Sequence, residues 1–157
     1  MKLGTWAAAS AFAVLGGTVS ATELHFEGDM VRGHTQDGAT GATCVLASQY
    51  MRKESVVWRV RVVDAAGENV GGDGLKSLVV KLADGSSYDM HFGTHPRKNP
   101  TDSFWATSWR IPADYPTGTV AYSVVATDLE GIEHVWQPFN VDMSLLTVIP
   151  GEVVFTK

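Results

Sequence analysis

Apolar and polar residues alternate along much of the chain, and the alternation has the period of a β-strand. In Val56-Val57-Trp58-Arg59-Val60-Arg61-Val62-Val63, the side chains of Val56, Trp58, Val60 and Val62 share one face, while Arg59 and Arg61 occupy the other. That is the pattern of a half-buried strand. Leu78-Val79-Val80-Lys81-Leu82 and Tyr88-Asp89-Met90-His91-Phe92 flank Ala83-Asp84-Gly85-Ser86. Asp-Gly accepts the positive φ angles of a tight turn, so the two runs are expected to pair antiparallel. Thr119 to Thr127 turns Val120, Tyr122, Val124 and Ala126 to one side and is bracketed by Gly118 and Gly131, another strand with one face inward. Trp105 to Ile111, Val135 to Val141 and Leu145 to Ile149 are further β-rich runs, and Cys44 to Ser48 and Leu24 to Phe26 are weaker ones. No segment shows a convincing amphipathic helical period. About seven to nine short strands separated by Gly, Pro, Asn and Asp clusters predict an all-β antiparallel fold, a sandwich in preference to a barrel.

The run Gly118-Thr119-Val120-Ala121-Tyr122-Ser123-Val124-Val125-Ala126-Thr127-Asp128, followed by Gly131, resembles the penultimate strand of bacterial immunoglobulin-like and fibronectin-III-like modules. The resemblance covers roughly Cys44 to Val141. Cys44 resembles the core position of the second strand, and Trp58 resembles the third-strand tryptophan packed beneath it. Where disulfide-bearing members carry a second Cys, this chain has Val124. The resemblance implies an immunoglobulin-like β-sandwich and leaves activity open, because that fold hosts unrelated functions.

Composition narrows the class. The chain has 157 residues, 45% hydrophobic and 18% charged, which excludes disorder, collagen and coiled coil and suits one domain. Lys and Arg total 12 against 17 Asp and Glu, a formal net charge of −5, so no nucleic-acid partner is expected. Lys2, the apolar stretch Trp6 to Leu15 and the small residues Val19-Ser20-Ala21 form the three parts of a secretory signal peptide, which predicts a periplasmic or secreted product. The expected organisation is a signal peptide over 1–21 and a single immunoglobulin-like β-sandwich domain over 22–157. After signal cleavage no membrane span is expected, because no later stretch is apolar enough.

Candidate chemistry centres on the single Cys. A lone thiol in an oxidising compartment calls for shielding, either by burial against Trp58 as a small hydrophobe or by a metal. Thiolate, imidazole and thioether together select copper over harder ions. His34, Cys44 and His95, with Met51 or Met90 as a weak axial ligand, have the composition of a copper centre of two imidazoles, a thiolate and a thioether. Their order differs from that of cupredoxins, whose Cys, His and Met ligands cluster near the C-terminus. His91 is expected to point away from Met90, and His95 to lie in the following loop. Zinc is a poorer match, since neither a C-x₂-C pair nor H-E-x-x-H is present.

Nucleophilic catalysis lacks a G-x-S-x-G elbow. The carboxylate pairs Glu130 with Glu133 and Asp84 with Asp89 read as solvated turn charges, and Gly71-Gly72-Asp73-Gly74 joins strands instead of opening a phosphate-binding helix. Trp105, Thr107, Trp109 and Ile111 share one strand face and are expected in the core. Tyr115 and Trp136 are candidates for stacking against a sugar ring or a protein partner. The expectation is therefore an exported accessory domain that binds without catalysing, holding copper for a redox partner. The alternative is a structural module that docks an exported protein or a glycan without metal.

Overall fold

The computed structural model describes residues 23–33, 45–96 and 98–151. Among them the chain forms eleven strands and no helix: β1 (Leu24–Arg32), β2 (Gln49–Met51), β3 (Ser55–Asp64), β4 (Ser77–Leu82), β5 (Ser87–Asp89), β6 (His91–His95), β7 (Asp102–Arg110), β8 (Gly118–Val120), β9 (Tyr122–Thr127), β10 (Glu133–Trp136) and β11 (Leu146–Ile149). One sheet has the order β1-β3-β7-β6, a second β10-β9-β4-β5, and a third, three-stranded sheet β2-β11-β8.

The period-2 pattern decides which faces meet. In β3, Val56, Trp58, Val60 and Val62 are buried while the intervening residues are not. In β9, Tyr122, Val124 and Ala126 are buried on the face turned toward them. The Trp58 ring lies 5.7 Å from that of Tyr122 in the second sheet and 6.3 Å from that of Trp109 in its own, so the two four-stranded sheets share one core. Trp105, Trp109 and Ile111 are buried in that core as expected. Burying each large apolar side chain contributes about 1.5–3 kcal/mol.

The Asp84-Gly85 turn behaves as its sequence predicts: Gly85 takes φ 89° and β4 pairs antiparallel with β5. The expected strand count of seven to nine is too low, however, and the reason is that two apolar runs change sheets partway. Tyr88 to Phe92 is interrupted at Met90, whose amide donates to Leu78 O at 2.8 Å. Upstream β5 pairs with β4, and downstream β6 pairs with β7 of the other sheet. Thr119 to Thr127 divides likewise at Ala121, giving β8 to β11 and β9 to β4 and β10. Strands that pass from one sheet to another at a bend are a recognised way to make a sandwich corner. Alternation of side chains continues through such a bend, which is why the pattern reads as one strand.

Two further boundaries and one pairing direction differ from expectation. The weak run at Leu24 extends to Arg32, because nine consecutive residues pair with β3 from Leu24↔Asp64 to Arg32↔Val56. The run from Val135 stops at Trp136, just before Gln137-Pro138. Proline has no amide to donate to a ladder. The β2–β11 ladder is parallel (Gln49↔Thr147 to Met51↔Ile149), whereas every other strand pair is antiparallel.

Candidate functional site: an apolar groove at the open edge

One side of the two-sheet arrangement is closed by the chain itself, which passes from β5 to β6 through Met90. The opposite side is bounded by β1 and β10, each an edge strand. The even-numbered residues Phe26, Gly28 and Met30 of β1 line a groove there. Gly28 has no side chain, and the Trp136 indole of β10 fills the space: a Cβ on Gly28 would lie 3.0 Å from Trp136 Cη2. Trp136 in turn meets Tyr122 edge-on, with ring centroids 6.5 Å apart. Phe26, Met30, Tyr122 and Trp136 thus form the floor.

The walls come from two connections. Leu46, Ala47 and Ser48 precede β2, and Pro138, Phe139, Met143 and Ser144 lie between β10 and β11. The second connection is held by its own backbone: Val141 N donates to Phe139 O, and Ser144 N and Leu145 N donate to Val141 O. This turn presents Phe139 and Met143 to solvent, 83% and 84% exposed, with Val141 between them also exposed. Leu46 on the facing wall is 65% exposed. The groove encloses about 430 Å³, within the range of sites that take small ligands or a few side chains.

Its polar lining is sparse. The Asp29 carboxylate accepts from Arg59 Nε at 2.7 Å and from Arg59 Nη2. Ser48 and Ser144 are the hydroxyl side chains of the walls, and the Tyr122 phenol is pushed up to about 12, chiefly by burial, so it stays protonated. The described lining is therefore suited to bury apolar groups.

Of the sequence-derived ligand residues, Met90, Met51 and His95 are described, and these three stand at separate places in the fold. Met90 is buried in the core. Met51 sits beside Glu54, whose Oε2 accepts its amide at 2.8 Å, at the end of the sheet where Ser55 pairs with Arg110. His95 pairs with Asp102 at the other end of β7; a nine-residue strand places its termini roughly 27 Å apart. The structure does not bring Met51 and His95 together. His95 ends β6 instead of standing in a loop, with its ring 5.7 Å from that of Phe104. His91 is exposed and Met90 buried, opposite in direction as expected. His34 and Cys44 lie outside the described residues, and among the described residues no group of three or more His, Cys, Asp or Glu could hold a metal.

The two proposed stacking rings are half-buried. Tyr115 stands edge-on to Trp109 at 4.9 Å and donates its hydroxyl to Asp84 Oδ2 at 2.9 Å. Trp136 is committed to Gly28 and Tyr122.

Sequence reasoning missed the support of the β10 edge. Asp128, 3% exposed, is the one buried charged residue among those described. Its Oδ1 accepts from Ile132 N at 2.7 Å and its Oδ2 lies 3.0 Å from His134 Nε2. These contacts tie the turn through Gly131, φ 92°, to His134 of β10. An Asp and a His flanking a Gly turn were the available signal. The His134 contact, followed by the backbone amides, holds the Asp128 carboxyl below its usual range. A carboxyl lowered in the folded state stabilises above its unfolded pKa of about 3.9, and that contribution is lost as pH falls through the lowered folded value. Denaturant melts from pH 7 to pH 3 should therefore show a shallower acid loss of stability in Asp128→Asn than in the parent. Parallel pH profiles would disprove the coupling.

No family model, curated protein or solved structure matches the chain.

Proposed function

We propose that the chain is an exported, non-catalytic interaction module with an immunoglobulin-like sandwich architecture, and that it docks another exported protein by accepting apolar side chains into the groove beside β1. The observation that carries this reading is the coincidence of Leu46, Phe139 and Met143, all strongly exposed, around a groove floored by Phe26, Met30, Tyr122 and Trp136. Isolated exposed hydrophobics need no explanation, but a cluster rimming a concave surface is the mark of an interaction site. Covering a Phe or Met side chain contributes about 1.5–3 kcal/mol each, enough for these residues to anchor an interface. The formal charge of −5 opposes attraction to an anionic lipid surface, which favours a protein as the occupant.

The test uses ligands selected from a random peptide display library against the folded domain. Binding should weaken by at least about tenfold, or 1.4 kcal/mol, in the double variant Phe139→Ser, Met143→Ser. Thermal stability should hold, because both side chains already face solvent. Selected ligands that bind parent and variant equally would reject the groove as the docking surface.

A further inference from the structure

The outer edge of β1 is already half covered, and the covering segment shows what the other half can accept. Val45 to Ala47 runs antiparallel to the end of β1: Arg32 N donates to Val45 O at 2.9 Å, Ala47 N donates to Met30 O at 3.1 Å, and Val31 bridges Leu46. Beyond Ser48 the chain turns away into β2. Met30 and Arg32 therefore direct these backbone groups away from β3, whereas Gly33 N donates inward to Ser55 O at 2.8 Å. By the alternation of an antiparallel ladder, Leu24, Phe26 and Gly28 also direct their N–H and C=O outward. Among the described residues these three have no backbone partner on that side. The side chains of Phe26 and Met30, with Gly28 between them, line the groove, so the open edge and the apolar groove adjoin along the same stretch of strand.

Resting on the docking function proposed above, we infer that the partner element is an extended segment that continues the Val45–Ala47 ladder antiparallel along Leu24–Asp29, with apolar residues at alternate positions and basic residues between them. Residues opposite Leu24, Phe26 and Gly28 turn into the groove; those between them stand beside His25, Glu27 and Asp29 on the outer face. Strand addition draws affinity from main-chain hydrogen bonds and specificity from alternate side chains. The charge of the outer row selects the partner's other face. Glu23 and Glu27 are largely exposed, and among the described residues the cations that Asp29 and Glu27 meet, Arg59 and Arg61, stand on the β3 side. A second copy pairing edge to edge through β1 would bring acidic rows together, and like charges on paired strands are destabilising. Lysine or arginine on the incoming strand complements the row.

The probe is the amidated, N-acetylated peptide Lys-Val-Lys-Phe-Lys-Val-Lys, titrated into the folded domain while amide hydrogen exchange is followed by NMR. Exchange at Leu24, Phe26 and Gly28 should slow by at least about tenfold at saturation, with no comparable change at Glu27. N-methylation of the two Val amides and the Phe amide, which would donate to β1, should weaken binding by about tenfold or more, because three donors are lost at once. N-methylation of the Lys amides should change it by less than about threefold, and replacing Lys by Glu should weaken it at low salt. Equal binding of both N-methylated series, with dependence on Phe139 and Met143 retained, would overturn strand addition while leaving the docking groove in place. Protection of the same amides that rises with protein concentration and needs no peptide would overturn it in favour of self-association. Unaltered exchange at these amides under saturating peptide would also overturn it.

Discussion

Trp58→Ala should lower the unfolding free energy by about 3–5 kcal/mol, measured as a drop in the urea midpoint at unchanged slope. Trp58 is 1% exposed and stacks on Tyr88 and Trp109 at 6.4 and 6.3 Å. It is also the principal ring bridging the two four-stranded sheets. Its removal leaves a void that strands paired on both sides cannot collapse into, and β3 is held by β1 and β7. Since a domain of this size has only about 5–15 kcal/mol in total, the substitution removes a large share of the margin that keeps the chain folded. Trp58→Phe should cost distinctly less, because most of the ring volume remains. If both substitutions cost under about 1 kcal/mol, the shared core described here would be wrong.

Gly28→Leu should also be damaging, for a reason of space. The new Cβ would meet Trp136 Cη2 at 3.0 Å and Cζ3 at 3.2 Å, and the remaining side-chain atoms would claim the volume that the indole occupies. Forcing extra atoms into a filled site costs about 1–3 kcal/mol. Here the indole should also be displaced toward solvent, removing the floor of the groove. A double-mutant cycle isolates the contact: Gly28→Leu should be markedly milder in a Trp136→Ala background. Equal cost in both backgrounds would show that Trp136 does not close this edge. Peptides selected on the parent should lose affinity for Gly28→Leu even where the variant remains folded.

The core of the fold was legible because burial and period coincide. Val56, Trp58, Val60 and Val62 announce an inward face in the sequence, and that face is buried. The Asp84-Gly85 turn announces a hairpin through backbone geometry alone. Sheet changes at Met90 and Ala121 left no trace, because alternation constrains which way a side chain points and not which neighbour the backbone pairs with. The groove was hidden for a related reason. Phe139, Val141 and Met143 alternate with Asn140 and Asp142, a pattern identical to that of a strand, yet they belong to a turn that carries them into solvent. Gly28 reads in sequence as a weak point in a strand, and its purpose appears only when Trp136 arrives from a distant part of the chain.

The parallel pairing of β2 with β11 has a bearing on how the molecule is made. Gln49–Met51 must wait for Leu146–Ile149, from the far end of the described chain, before its backbone is satisfied. β11 in turn is flanked on its other side by β8. Closing so large a loop makes this an intrinsically slow step. Until β11 docks, Tyr50 and Leu146, both wholly enclosed in the finished molecule, lack that cover, and apolar surface exposed during folding is what promotes aggregation.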